Sequence, residues 1–99
     1  MAFKSFSKTV TTPGTAEPLS DVPLSVLSWS LMPLGTNAGS IYAGDSTVDS
    51  TSPALAAYQT IGWDGDANFG IRGRQDLADV YIDASVAGEG VGIWYVDAA

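Results

Sequence analysis

The chain contains no cysteine and no histidine among its 99 residues. No disulfide can staple it, and the nitrogen and thiolate ligands of structural zinc sites are missing. Ser–His–Asp and Cys–His nucleophile systems are excluded as well, because both need an imidazole base. Basic residues are scarce: four Lys and Arg stand against eleven Asp and Glu, for a net charge of −7. Neither a phosphate backbone nor an anionic membrane is expected to be the main partner of such a chain. Long apolar runs are lacking too. The most apolar window, Val22 to Leu34, is interrupted by Ser25, Ser28, Ser30 and two prolines, and it is too short to cross a bilayer. Met1-Ala2-Phe3-Lys4 carries no apolar stretch of the secretory kind. With no cysteine, the chain fits synthesis in a reducing cytoplasm.

What is present is the vocabulary of short strands. Hydrophobic residues make up 45% of the chain, ordinary for a folded domain, while charged residues make up only 15%. Turn residues recur at the spacing of a sandwich or barrel. Mass scaling for 10.2 kDa gives a folded monomer about 5,300 Å² of exposed surface, against about 14,800 Å² unfolded. The resulting stability margin is thin, and self-association is the expected support.

Phe3 to Val10 alternates, with Lys4, Phe6, Lys8 and Val10 on one face and Phe3, Ser5, Ser7 and Thr9 on the other. Thr12-Pro13-Gly14-Thr15 has Pro and Gly in type II turn order. Val22, Leu24 and Val26 share one parity, but Leu27, Trp29 and Leu31 share the other. A bulge or strand break is therefore expected near Val26-Leu27. Leu24, Leu27, Leu31 and Leu34 also fit helical spacing, but Pro33 and the serines favour strand. A turn at Thr36 to Gly39 leads to a strand at Ser40 to Ala43 and a polar loop from Gly44 to Pro53. Ala54 to Ala57 suits a helical turn or a lead into a strand at Tyr58 to Trp63. A tight turn follows at Asp64-Gly65-Asp66 and a strand at Phe69 to Arg72. Leu77 to Asp83 reads as a strand with Val80 and Ile82 inward and Asp79, Tyr81 and Asp83 outward. Ala87-Gly88-Glu89-Gly90 reads as a hairpin turn. Val91 to Val96 is apolar on both faces, as in a strand central in a sandwich or covered by a partner subunit. The expected fold is all-β: a single jelly-roll-like sandwich or barrel of about eight short antiparallel strands over residues 13–99. An N-terminal strand or arm over residues 1–12 precedes it.

Little of this points to chemistry. Paired carboxylates remain open to a small hydrolase, since acidic residues number eleven, but most stand at turns or outward positions, and no enzyme activity is expected. Asp64, Asp66 and Asn68 resemble the start of a calcium loop, yet Phe69 and Gln75 stand where that motif needs Gly and Glu. Asp64 and Asp66 therefore make a weak calcium candidate only, and no cofactor is expected. Gly88-Glu89-Gly90-Val91-Gly92 lacks the strand-then-helix setting of a phosphate loop. Arg72-Gly73-Arg74 is a compact basic spot beside a turn. Trp29, Trp63, Trp94, Tyr42, Tyr58, Tyr81 and Tyr95 suit either a sugar-stacking platform or core and subunit contacts. The opening segment, with Lys4 and Lys8 among Phe3 and Phe6, suits an arm that docks on an acidic protein surface by charge and strand addition. Trp94, Val96 and Tyr81 are the expected contacts between copies.

Several stretches are similar to small virion proteins of tailed bacteriophages. Phe6-Ser7-Lys8-Thr9-Val10 with Gly14-Thr15-Ala16 and Leu19-Ser20 resembles their opening. Asn37-Ala38-Gly39-Ser40-Ile41-Tyr42-Ala43-Gly44 resembles their "N-x-G-x-I-Y-V-G" strand. Asp76-Leu77-Ala78-Asp79-Val80-Tyr81-Ile82-Asp83, then Ala87-Gly88-Glu89-Gly90-Val91, resembles their closing segment. The resemblance spans about three-fifths of the chain. It departs at Leu55-Ala56-Ala57-Tyr58-Gln59, where "L-x-P-G-E" is usual, and in a longer Asp64 to Arg74 segment. It implies a capsid decoration (cement) protein, made in the host cytoplasm and located on the capsid surface of the virion. Such a protein forms a homotrimer and braces the major capsid protein. The alternative it implies is a tail or fibre accessory module that binds host-surface glycans.

Overall fold

The alternating opening segment forms β1 (Phe3–Thr9), and the valine-rich end of the chain forms β9 (Gly90–Asp97). They pair antiparallel from Phe3 opposite Val96 to Thr9 opposite Gly90. The computed structural model describes residues 2–64 and 74–98. Between the first and last strands lie β2 (Glu17–Pro18), β3 (Ser25–Pro33), β4 (Ile41–Gly44), β5 (Ala54–Leu55), β6 (Ile61–Asp64), β7 (Gln75–Asp76) and β8 (Tyr81–Ala84). A single 3₁₀ turn, Leu77–Asp79, links β7 to β8. The first sheet runs β1-β9-β3-β6, with β7 also on β3, and the second runs β2-β8-β4-β5. Every pairing is antiparallel. The protein is all-β, built of two antiparallel sheets.

Alternation along each strand sends one set of side chains between the sheets. Val26, Leu31, Val91 and Ile93 come from the first sheet, and Ile41, Ile82 and Ala84 from the second, all buried in one cluster. Val10, Leu19, Leu77 and Val80 close its ends from the connections. Val26 and Leu31 differ in parity, yet both are fully buried. The pairing of β3 with β9 shifts between Val26 and Ser28, so the expected bulge is present and lets both halves of β3 face the core. The accessible surface of 5349 Å² equals what mass scaling gives a compact monomer of this size.

The turn at Thr12 to Thr15 closes through a Thr15 N–H to Thr12 C=O bond of 3.1 Å. Gly14 supplies the positive φ of 91° that a type II turn needs at its third residue. Other expectations are corrected. The strand expected from Leu77 begins only at Tyr81, because the Asp76 carboxylate accepts the Leu24 and Ala78 N–H groups and holds a 3₁₀ turn there. Asp83, expected outward and solvated, is 1% exposed. The Thr12 to Thr15 turn folds over it, and its Oδ1 accepts the Gly14 N–H at 3.0 Å. The strand expected from Tyr58 starts at Ile61, since Tyr58 has a φ of 69°, incompatible with a strand. The Phe69 to Arg72 strand and the Asp64-Gly65-Asp66 turn lie outside the described residues or run into them.

Ala87 to Gly90 does not make a hairpin. β8 belongs to the second sheet and β9 to the first, so this segment crosses the sandwich. Its backbone pairs instead with Val10, through Val10 N–H to Glu89 C=O and Gly88 N–H to Val10 C=O, both 2.8 Å. Glu89 then reaches the β3–β4 connection, where its carboxylate accepts the Ala38 and Gly39 N–H groups at 2.6 and 2.9 Å. Asn37 donates from Nδ2 to the Gly90 carbonyl at 2.8 Å. The result is a clasp of charge-assisted and amide bonds between two loops that are far apart in sequence.

Several carboxylates are held below their ordinary range by such bonds. The Leu24 N–H, then that of Ala78, lowers Asp76. The Thr47 and Thr51 hydroxyls, and then their N–H groups, lower Asp45 and Asp49. The Thr11 N–H, with Lys8 adding to it, lowers Glu17. A carboxyl with a lower pKa folded than unfolded stabilises the fold fully above the unfolded value, near 4, and loses that contribution as pH falls through the folded value. The urea midpoint is therefore expected to hold between about pH 5 and 7 and to drop between about pH 4 and 2. A flat profile across that acid range would show that these bonds do not act on folding.

Candidate docking surface

Cross-strand register decides which way the opening strand's side chains point. Lys4, Phe6 and Lys8 lie opposite Tyr95, Ile93 and Val91, so all three face the second sheet. The Phe6 ring meets Tyr95 edge to face, with centroids 5.8 Å apart. Lys8 Nζ pairs with Glu17 of β2 at 3.3 Å, bridging the two sheets at the side of the sandwich. Lys4 Nζ pairs with Asp97 at 3.2 Å. The segment expected as a strand or arm is thus an edge strand, and both of its lysines form ion pairs within the chain. Of its four expected docking residues, Phe3 alone points to the outer face, 72% exposed.

The outer face of the first sheet forms a grid. Phe3, Val96, Ser28 and Asp64 make one row, Ser5, Trp94, Ser30 and Gly62 the next, and Ser7, Gly92 and Met32 a third. Trp94 stands at its centre, 37% exposed. Within these three rows Asp64 is the one charged residue among the described residues, and Asp76, opposite Ser25, stands on the same side of the sheet, on a chain of net charge −7. A hollow of about 280 Å³ opens over Gly92, walled by Trp94, Met32, Leu34, Ser5 and Ser7. Trp94 and Val96, expected to meet other copies, therefore share this face. Tyr81 does not join them: it pairs with Pro18 and Gly44 and points to the outer side of the second sheet.

The aromatic platform is not assembled. Trp29 and Trp63 are cross-strand neighbours on the inner side of the first sheet, Tyr42 and Tyr95 are buried, and Tyr58 sits in a loop. A second hollow of about 310 Å³ opens where the sandwich parts, lined by Trp29, Ile61, Ala43, Val80, Asp45 and Asp79. The indole N–H of Trp29 is buried there without a partner. Asp45, which lines the hollow, accepts from the Thr47 hydroxyl and N–H, and these bonds hold its carboxyl below the ordinary range. Of the weak calcium pair, Asp64 ends β6 opposite Ser28, and Asp66 lies outside the described residues. Among the described residues no cluster of three or more His, Cys, Asp or Glu could hold a metal ion.

Sequence reasoning missed Ser5, Ser7, Ser30, Met32 and Gly92 as one surface. The signal available was parity within each strand; the register that sets the strands side by side was not. Compared with protein-family models, curated proteins and solved structures, the chain finds no match.

Proposed function

We propose that this chain is a structural protein of a virus particle: a capsid decoration protein that binds and braces the assembled shell of major capsid protein as an oligomer. The observation that carries this reading is the outer face of the first sheet. It is nearly free of charge, set with Trp94, Phe3, Val96 and Met32, and it belongs to the sheet with the longest strands. Exposed aromatic residues on a surface depleted of charge are the mark of a protein-binding patch. The resemblance of its motifs to small phage virion proteins supports the same reading. A decoration protein gains its hold from many copies acting together, so weak individual contacts suffice.

Co-sedimentation of the chain with assembled capsid shells tests this. Trp94→Asp is expected to weaken shell binding at least about tenfold, the loss of a central aromatic anchor. Tyr58→Asp, on a side chain 69% exposed elsewhere, is expected to bind as the parent does. Equal binding by all three chains would sink the reading.

A further inference from the structure

Each sheet ends in strands whose free edge could take another strand, and the fold guards these edges unequally. In the second sheet the edge strands β2 and β5 have two residues each, with Pro18 inside one and Pro53 just before the other. At one edge of the first sheet β6 has four. The opposite edge, β1, runs for seven residues in unbroken register, with no proline, glycine or bulge. Lysine often guards such an edge, but here Lys4 and Lys8 are folded onto Asp97 and Glu17 of the same chain. Two bonds fix which way the backbone of β1 faces. Ala2 C=O accepts the Asp97 N–H, and Val10 N–H donates to Glu89 C=O, both at 2.8 Å. Antiparallel bonding alternates by residue, so Lys4, Phe6 and Lys8 also bond toward β9. Phe3, Ser5, Ser7 and Thr9 therefore turn their N–H and C=O groups to the open edge, and all are exposed. Among the described residues no other backbone group bonds to them there.

We infer that the β1 edges of two copies of this chain pair antiparallel about a twofold axis normal to the first sheet, joining their first sheets into one. The axis passes between the two Phe6 residues, which sets Ser5 opposite Ser7 and Phe3 opposite Thr9 of the other copy. Each such pair exchanges two main-chain bonds, and every outward group of the strand is used. The added strand must match β1 in length and run the other way, and β1 of a second copy does both. Charge selects the same edge. β1 carries two of the chain's four basic residues and no acidic one. Its ion pairs with Asp97 and Glu17 leave it balanced, and this register brings Lys4 beside the Lys8–Glu17 pair of the other copy. Asp64, Asp76, Asp45 and Asp79 all stand beyond β3, in β6, in β7 and around the hollow at Trp29 and Ile61. A chain of net charge −7 thus meets its copy at a neutral edge, with the carboxylate-rich edges farthest apart. The outer faces of both copies point the same way, and Trp94 and Gly92 stay uncovered in each. A pair presents two such faces to one shell. The pairing stands on the edge alone, whatever those faces bind. Main-chain bonds along one strand, with little apolar burial, make a weak, concentration-dependent dimer.

Sedimentation velocity of the chain alone, across a micromolar to millimolar series, is expected to show twice the monomer mass growing in with concentration. Hydrogen exchange read by NMR over the same series locates the seam. The Phe3, Ser5, Ser7 and Thr9 amides are expected to slow at least about tenfold toward the dimer, while those of Lys4, Phe6 and Lys8 are slow throughout. Ser5→Pro removes an outward N–H that β9 does not use, and an edge strand tolerates proline there. It is expected to weaken the dimer at least about tenfold, with a melting temperature within a few degrees of the parent's. Trp94→Asp is expected to dimerise as the parent does. A monomer at every concentration overturns the inference, as does a trimer, or a folded Ser5→Pro that pairs as tightly as the parent. A dimer whose outward amides exchange as in the monomer, or one that Trp94→Asp abolishes, overturns it too. No shell is present, so these outcomes are separate from the shell-binding measurement.

Discussion

Gly90→Ala is expected to remove at least about 3 kcal/mol of stability. The added methyl would lie against the Lys8 carbonyl oxygen and 2.7 Å from Thr9 Cα, both in the backbone of β1. No rotamer change relieves such a clash; β1 must pull away from β9. Gly90 also accepts the Leu34 N–H at 3.0 Å and the Asn37 amide at 2.8 Å, so moving it disturbs the clasp at the same time. Against a total of about 5–15 kcal/mol for a domain, this is a large share of the stability. Gly92→Ala, two residues along the same strand, is the control, expected within about 1 kcal/mol of the parent. Urea denaturation of the two variants reads the contrast. Similar midpoints would refute the account of β1 pressed against β9.

Leu31→Ala is expected to cost about 2–5 kcal/mol. Leu31 is fully buried and stands between Ile61 and Ile93 on the inner side of the first sheet. A two-layer sandwich of this size has a single core, and β3 is the strand that carries β6, β7 and β9 together. Truncation removes the transfer free energy of the lost methylenes and leaves a cavity that paired backbones on both sides cannot close. Leu31→Met, which keeps the volume, is expected to cost less than about 1.5 kcal/mol. If both substitutions shifted the urea midpoint equally, shape rather than volume would govern this part of the core.

The parity change at Val26-Leu27 was legible in the sequence because a bulge must follow when apolar residues switch sides of one strand. The alternation of β1 was legible for the same reason. Its meaning was not. Lys4 and Lys8 read as free cations on an arm, since nothing local shows that Glu17 and Asp97 stand within reach. Asp83 read as solvated because its parity is outward, which is correct, but the Thr12 to Thr15 turn that covers it is remote in sequence. Ala87 to Gly90 carries ordinary hairpin residues, and its crossing between sheets depends on bonds to Val10 and to the Asn37 to Gly39 loop.

The amino-acid sequence by itself determined that this protein is all-β, where most strands run, and which side chains share a side of each strand. Those properties follow from the two-residue period of an extended backbone and from turn residues acting over a few positions. Only the tertiary structure decided which strands lie side by side, which carboxylates are paired or covered, and that Phe3, Trp94, Val96 and Gly92 form one open surface. Those outcomes depend on hydrogen-bond register between segments tens of residues apart, and no local pattern encodes that register.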